Sequence, residues 1–201
     1  MSKIFVTGDT HFGHAEAIPL FGRPLPSGDV AAMDEMLIDG INAVVGRSDR
    51  LIHVGDFTGP LPWKGRERRK SLETVRRLRS KIRCRRVELV VGNHDPSPRI
   101  ARTIFEDARH ILSWRGWSGG SDRIVIFHYP LRSWQGALRG AMHLYGHMHG
   151  AFEPIGRSMD VGVDCWSMRP IPLDDALAAL ARIAPPPRPE PPIARVPQRA
   201  L

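Results

Sequence analysis

Short apolar runs rich in β-branched residues recur along the chain, and most lead directly into residues that can bind metal ions or transfer protons. Four of these runs cover residues 3–9, 51–56, 87–95 and 124–128. Three further runs cover residues 110–117, 141–145 and 158–163. Runs of this length, closed by Gly or Pro, are typical of strands in a largely buried sheet. The sequence therefore predicts sheet structure whose strands end in chemically active side chains.

Between these runs the apolar residues follow a helical spacing. Amphipathic helices are predicted over residues 30–45 and 72–82, and a weaker helical pattern covers residues 99–105. A last helix is expected over residues 174–183, with Asp174 as its N-cap. Strands that alternate with helices are characteristic of α/β domains whose helices lie on the outside. We therefore expect one α/β domain over residues 1–183 of the 201-residue chain.

The last 18 residues, 184–201, differ in composition from the rest because seven of them are proline. Proline lacks a backbone N–H and has a fixed φ, so this tail is expected to be extended and disordered. No run in the sequence approaches the roughly 20 apolar residues of a membrane helix, and the N-terminus lacks a signal-peptide layout. The sequence therefore predicts a cytoplasmic protein that does not bind membranes.

Six of the nine histidines fall in or next to four short motifs at the ends of predicted strands. The motifs are Asp9-Thr-His11 with His14 close behind, Gly92-Asn-His-Asp95, His128-Tyr-Pro130 and Gly146-His-Met-His149, and Gly55-Asp56 adds a carboxylate. In α/β sheets the carboxyl ends of the strands form the edge where ligand crevices lie. Segments far apart in sequence are therefore expected to bring oxygen and nitrogen donors to one place.

The types of these residues indicate a metal centre. Asp and His without Cys suit borderline divalent cations such as Mn²⁺, Fe²⁺, Zn²⁺, Co²⁺ and Ni²⁺. The candidate donors are seven, too many for one tetrahedral ion: Asp9, His11, Asp56, Asn93, His128, His147 and His149. Two ions that share a bridging carboxylate fit this number, and such a pair can clamp both oxygens of an in-line displacement. The sequence therefore predicts a dinuclear site.

The order of these motifs resembles the calcineurin-like metallophosphoesterase superfamily, and the resemblance covers residues 1–183. The segments Asp9-Thr-His-Phe-Gly-His14, Gly22-Arg-Pro24 and Val161-Gly-Val-Asp164 are similar to small bacterial and phage members that are described as predicted phosphoesterases. The resemblance implies an α/β fold with a four-layer α-β-β-α sandwich. It also implies hydrolysis of phosphate esters by a hydroxide that bridges the two metal ions, with Mn²⁺ as the expected metal and Fe, Zn, Ni or Co as alternatives.

The resemblance further implies a role for each residue of the motifs. One ion would be held by Asp9, His11, Asp56 and His149, and the other by Asp56, Asn93, His128 and His147. His94 would face the substrate and protonate or stabilise the leaving oxygen, and Asp95 would orient His94 through a hydrogen bond.

Two further residues are candidates for substrate binding, each with an alternative. His14 can contact a substrate phosphate or cap the segment that follows it. Arg23 can clamp a phosphate, since guanidinium suits bidentate contact, or it can be a surface residue.

The substrate class is indicated less directly. Protein serine/threonine phosphatases and dinucleoside-tetraphosphate hydrolases of this superfamily read GDxVDRG, whereas this chain reads Gly55-Asp-Phe-Thr-Gly59 and lacks the Asp-Arg pair. This difference argues against both classes, and we expect phosphodiesters to be favoured. An enzymatically inactive metal-bound scaffold is an alternative, but the intact ligands and His94 speak against it.

Nucleic acid is a further candidate partner because the net charge of +8 is concentrated in one segment. Residues 64–86 contain 12 Lys or Arg and only 2 Asp or Glu. If these cations formed a stripe near the cleft, the chain would suit a nucleic-acid phosphodiesterase or nuclease. The alternative interpretation is a solvated helix face.

Overall fold

The strands of this protein form two sheets, as a computed structural model that describes residues 2–116 and 123–187 shows. In chain order the strands are β1 (Ile4–Thr7), β2 (Arg50–His53), β3 (Arg86–Val90), β4 (Asp107–Arg109), β5 (Ile111–Arg115), β6 (Arg123–Phe127), β7 (Met142–Tyr145), β8 (Ser158–Asp160) and β9 (Ile171–Pro172). Every strand expected from the sequence is present. Residues 188–201 of the proline-rich tail, and Trp117 at the end of one predicted strand, lie outside the described residues.

The helices lie between the strands, as the apolar spacing predicts. They are α1 (Ala17–Leu20), α2 (Val30–Val44), α3 (Arg68–Lys81), α4 (Pro98–Ala101) and α5 (Leu173–Ala181), with short 3₁₀ helices at Ala137–Arg139 and Val163–Cys165. Asp29 caps α2, because its side chain accepts the amide of Ala32 at 3.1 Å. None of the helices in the described ranges has the length and apolarity that a membrane crossing requires.

The strand order brings the motif-bearing strand ends to one edge. The first sheet has the order β4-β3-β2-β1-β9, and the second has the order β5-β6-β7-β8. Strands β1 to β4 run parallel, as do β6 to β8, whereas β9 and β5 are antiparallel to their neighbours. A parallel bridge between Gly8 and Gly162, which follow β1 and β8, joins the two sheets at their carboxyl edge. The polar segments after six strands therefore meet at this edge.

Three hydrophobic cores lie between and outside the two sheets. Alternate residues of one strand face opposite sides, so Phe5 packs with α2 and α3 whereas Val6 packs between the sheets. The second sheet is covered on its other side by Trp134, Ala137 and Ala141, which pack on Val125. The expected α/β sandwich of two sheets flanked by helices is confirmed. Its outer helical layer on the second sheet is thin, since this core contains one 3₁₀ helix.

Two local predictions differ from the structure, and two short strands have no counterpart among the predictions. The helix predicted over 99–105 is shortened to α4, because the chain must turn there to enter β4 beside β3. Asp174 is not the N-cap of α5; Pro172 holds that position, since β9 leads directly into the helix. Asp174 and Asp175 instead lie in the first turn, where carboxylates interact favourably with the helix dipole. The strands β4 and β9, of 3 and 2 residues, are too short to show a periodicity.

Candidate functional site

Five of the seven expected metal ligands have a left-handed backbone. Their φ angles lie between 48° and 71°, and the residues are Asp9, His11, Asp56, His147 and His149. Elsewhere in residues 2–116 and 123–187, positive φ at a non-glycine position occurs at Ser167 and Met168. Such a conformation costs on the order of 1 kcal/mol or more at each residue and persists where the surrounding structure enforces it. Backbone strain is therefore concentrated at this edge of the sheets, as is typical of functional sites.

Glycines beside these residues let the strand ends approach closely. A Cβ atom on Gly92 would overlap Oδ1 of Asp56, and one on Gly146 would overlap Oδ2 of Asp9. The two carboxylates can therefore sit directly against the backbone of neighbouring strands. Asp9 is fully buried and Asp56 is 2% exposed, so both carboxylates are removed from water.

The carboxylate of Asp56 lies at the centre of the site. Its Oδ2 atom is 3.5 Å from Nε2 of His128, 3.7 Å from Nε2 of His11 and 3.8 Å from Nε2 of His94. Its Oδ1 atom accepts the backbone N–H of His94 at 2.9 Å, which fixes the orientation of the carboxylate. Imidazoles from three different loops therefore converge on one carboxylate oxygen.

Three compact groups of donors lie at Asp56. Within each group the candidate ligand atoms lie within 4.8 Å of one another; the groups are Asp9 with His11 and His149, Asp56 with His128 and His147, and Asp56 with His11 and His94. Asn93 adds its Oδ1 atom, which is 3.0 Å from Nε2 of His128. The structure thus brings all seven expected ligands together. The clusters of His and Asp are of the kind that holds two metal ions.

The buried polar atoms of His11 fit a metal ion. The ring is 2% exposed, and both of its nitrogens lack a hydrogen-bond partner within the described part of the chain. Burial lowers the pKa of His11 to about 3, so the ring is neutral at pH 7 and has a lone pair available. Burial also raises the pKa of Asp9 well above its usual range. A buried imidazole that makes no hydrogen bond within the described residues, beside two buried carboxylates, indicates that a cation belongs here.

His128 is held so that its Nε2 atom faces Asp56. Its Nδ1 atom lies 2.8 Å from the carbonyl oxygen of Val54 and donates to it, which fixes the tautomer that leaves Nε2 for a ligand. Burial alone would lower the pKa of His128, but the hydrogen bond and charge of Asp56 raise it to about 9. Without metal, the two side chains therefore form an ion pair.

His94 is placed at the mouth of the site. Its side chain is 28% exposed, and its ring centroid is 5.3 Å from that of His11. The backbone on either side is fixed, since Asp56 accepts the N–H of His94 and the indole Nε1 of Trp63 donates to its carbonyl at 2.7 Å. The ring can thus face a substrate while its backbone stays in place.

The sequence predicts that Asp95 contacts the ring of His94, but its partners in the structure are backbone amides. Its carboxylate accepts three backbone amides: Asp56 at 2.7 Å, Phe57 at 3.0 Å and Gly92 at 2.9 Å. The group is 8% exposed, and burial raises its pKa to about 6. Asp95 therefore ties the loop after β3 to the loop that presents Asp56.

The two candidate substrate contacts differ in their surroundings. His14 lies beside the ligands, with its ring centroid 5.6 Å from that of His11 and its Nε2 atom 3.4 Å from Glu16. Arg23, in contrast, is 4% exposed and donates to Asp164 and to the carbonyls of Asp9 and Thr10. Its N–H groups thus donate to acceptors beneath the site. Arg23 is therefore neither the phosphate clamp nor the surface residue expected from the sequence.

Sequence reasoning assigned no role to Asp164 or Trp63. Asp164 lies in the Val163–Cys165 3₁₀ helix, and its Oδ2 atom is 2.6 Å from Nδ1 of His149. Trp63 lies in the loop before α3 and holds the carbonyl of His94. The segment Val161-Gly-Val-Asp164 offered a signal for the first, since a carboxylate follows a predicted strand there as in the ligand motifs. Nothing comparable marks Trp63.

The basic segment 64–86 lies mostly at the surface. Helix α3 buries Ser71, Val75 and Leu78, so its many Arg and Lys side chains face outward. Arg79 is the exception, because its guanidinium donates to the carbonyls of Ile82, Cys84 and Arg85 after the end of the helix. The segment therefore combines a solvated cationic face with a structural arginine.

Known proteins match the chain along most of its length. The family model described as calcineurin-like phosphoesterase matches residues 2–128. The uncharacterized protein MJ1445 of Methanocaldococcus jannaschii is 26% identical over 181 residues, which are 87% of this chain and 89% of that protein. The protein of unknown function AQ665 from Aquifex aeolicus aligns with a TM-score of 0.62 and 20% identity, over 87% of this chain and 97% of that one, which is a likeness of fold. A novel archaeal phosphodiesterase aligns with a TM-score of 0.42 and 18% identity, over 80% of this chain and 82% of that one.

Proposed function

The chain belongs to the calcineurin-like phosphoesterase family, and we propose that it hydrolyses phosphodiesters with two divalent metal ions held at the carboxyl edge of its sheets. The position of Asp56 carries this proposal. Its Oδ2 atom lies 3.7 Å from Nε2 of His11 and 3.5 Å from Nε2 of His128, one imidazole from each proposed site, so this carboxylate can serve both ions.

We assign the donors to two ions by their grouping. Asp9, His11 and His149 would hold one ion together with Asp56, and His128, His147 and Asn93 would hold the other with the same carboxylate. When bound, such ions supply positive charge to the phosphoryl oxygens and lower the pKa of water. Mn²⁺ is the proposed ion, and Fe²⁺, Zn²⁺, Ni²⁺ and Co²⁺ suit the same set of nitrogen and oxygen donors.

The remaining residues act on the substrate or on the loops. His94, partly exposed at the mouth, would donate a proton to the leaving oxygen. Asp95 would act on the backbone instead, because its carboxylate holds the amides of Asp56, Phe57 and Gly92. His14, beside His11, would contact a phosphate oxygen.

The contacts of the Arg23 guanidinium with Asp164 support a preference for diesters. A phosphate monoester carries close to two negative charges at pH 7, and enzymes commonly bind that charge with a bidentate guanidinium. Arg23 instead turns inward, with Nε and Nη2 donating to Asp164 at 2.9 Å and 3.1 Å. A diester carries a single charge and depends less on such a clamp.

The direct test is hydrolysis by the metal-free protein after single metals are added back. We expect no cleavage of bis-p-nitrophenyl phosphate without metal, and cleavage with Mn²⁺ that exceeds cleavage of p-nitrophenyl phosphate. A preference for the monoester would overturn the diester assignment. Inactivity toward both esters with every one of the five metals would contradict the proposal of an enzyme and favour the alternative of an inactive metal-bound scaffold.

Nucleic acid is a second candidate substrate because of where the basic segment begins. Trp63, which holds the carbonyl of His94, is followed directly by the exposed residues Lys64 and Arg66. Cations that follow a residue in contact with the site can guide a polyanion toward it. If this is the substrate, binding of single-stranded DNA or RNA will weaken steeply as salt rises. An affinity that does not change with salt would exclude this candidate.

Metal binding is expected to depend on pH through His128. A metal ligand must be a neutral imidazole, but Asp56 raises the pKa of His128 to about 9 in the metal-free protein. At pH 7 the metal must therefore displace a proton, and this competition disappears as pH rises through the pKa. We expect the affinity of the ion that His128, His147 and Asn93 would hold to rise by up to about tenfold per pH unit between pH 7 and 9. Calorimetry in buffers of different ionisation enthalpy would measure the proton released; no release at pH 7 would contradict the prediction.

A further inference from the structure

The histidine of one donor group is held by a carboxylate on its far side. Nδ1 of His149 lies 2.6 Å from Oδ2 of Asp164, and the two side chains are 10% and 5% exposed. A carboxylate accepts a proton donor, so Nδ1 carries the hydrogen and Nε2 keeps its lone pair. The imidazole is therefore fixed in the tautomer that can bind an ion through Nε2.

Asp164 cannot turn away from His149, because Arg23 holds it. The guanidinium donates from Nε to Oδ1 at 2.9 Å and from Nη2 to Oδ2 at 3.1 Å, and the Arg23 side chain that makes this bidentate contact is fully buried. Such planar contacts fix the orientation of a carboxylate and stabilise its negative charge. The contact joins residues 141 positions apart in sequence.

The same guanidinium also holds the loop that presents the other ligands of this group. Nη2 donates to the carbonyl of Asp9 at 2.8 Å, and Nη1 donates to the carbonyl of Thr10 at 2.9 Å. These two carbonyls lie on the strained turn between β1 and His11. One buried cation therefore links the backbone of Asp9 and Thr10 to the carboxylate that orients His149.

An aromatic ring completes the support of His149. The ring of Phe21 stacks on it at a centroid distance of 3.3 Å and an angle of 8°. Phe21 directly follows α1 and lies two residues before Arg23. A hydrogen bond at Nδ1 and a parallel ring against one face together restrict both the tilt and the rotation of the imidazole.

We propose that Asp164 and Arg23 are positioning residues for the metal site of Asp9, His11 and His149, and that they act mainly on this site. The inference rests on the proposed function, in that the cluster must bind two ions. The other site uses a different device, since His128 donates its Nδ1 hydrogen to the carbonyl of Val54. A carboxylate makes an imidazole a stronger ligand than a neutral carbonyl does. The histidines of the two sites are therefore held at Nδ1 by separate partners.

Metal titration of two variants tests the proposal. In Asp164→Ala the Nδ1 partner is lost, and in Asp164→Asn the amide cannot satisfy both His149 and the fork of Arg23. We expect Mn²⁺ or Co²⁺ binding to one of the two sites to weaken by about 10- to 100-fold, with a clearly smaller effect on the other site, which shares Asp56. Asp164→Glu, which restores a carboxylate, should recover part of the loss. Glu88→Gln is the matched control, because it breaks the 2.6 Å Arg50–Glu88 ion pair and should leave both sites unchanged.

A second measurement does not depend on metal binding. In the metal-free wild-type protein, ¹⁵N spectroscopy of the histidine rings should find the proton of His149 on Nδ1, and Asp164→Asn should shift it toward Nε2. Equal weakening of both sites, unchanged binding, or a wild-type proton on Nε2 would each overturn the proposal. Wild-type protein that binds two ions but cleaves no ester would contradict the proposed enzyme while leaving this inference intact. Wild-type protein that binds no metal would overturn both.

Discussion

Replacing Asp56 by asparagine is expected to weaken both metal ions together and to lower turnover by about 10³-fold or more, if the shared carboxylate contributes about 4 kcal/mol to the transition state. The substitution removes little else. Asparagine has the same shape, and its Oδ1 atom can still accept the amide of His94, which now lies 2.9 Å from the carboxylate. The lost atom is the oxygen that three imidazoles approach within 3.8 Å. An amide NH₂ in its place cannot bind a cation.

Metal content and turnover should be measured on the same preparation of Asp56→Asn. Asp49→Asn is the matched control, because Asp49 also accepts backbone amides, those of Lys3 and Gly46, both at 2.8 Å. Asp49 precedes β2, at the opposite end of the strand from Asp56, so its replacement should leave both ions and turnover near wild type. Loss of only one ion in Asp56→Asn would show that the carboxylate is not shared.

The seven candidate ligands could be identified from the sequence because each follows a strand-like run. The rule that the carboxyl ends of parallel strands share one edge is enough to bring such residues together without knowing any contact. The structure adds what the pattern does not contain. Packing of several loops enforces the left-handed backbone at five ligands, so the local sequence does not predict it. These ligands are Asp9, His11, Asp56, His147 and His149.

Arg23, Asp164 and Asp95 show where sequence reasoning ends. Their residue types allow several roles, and the choice depends on which acceptor or donor tertiary packing brings near. Arg23 and Asp164 are 141 positions apart, and Asp95 accepts amides 38 and 39 positions earlier. A guanidinium expected at a phosphate is therefore buried against Asp164. A carboxylate expected to orient His94 holds backbone amides instead.

Replacing His94 by alanine is expected to lower turnover by about 10²- to 10⁴-fold while metal content stays near wild type. The backbone of this residue supports the site through its N–H to Asp56 and its carbonyl to Trp63, and alanine keeps both hydrogen bonds. Only the imidazole is lost, together with the proton that it would give to the leaving oxygen. Weakened metal binding in this variant would mean that His94 is a ligand, since its Nε2 atom lies 3.8 Å from Asp56.

The choice of leaving group separates proton donation from other roles of His94. An aryl leaving group such as p-nitrophenolate departs without much help, whereas an alkoxide needs a proton in the transition state. The defect of His94→Ala should therefore grow as the pKa of the leaving alcohol rises. His110→Ala is the control, because His110 is exposed and should leave turnover unchanged with every ester. A defect of equal size across the series would show that His94 stabilises charge on the phosphoryl group rather than donating a proton.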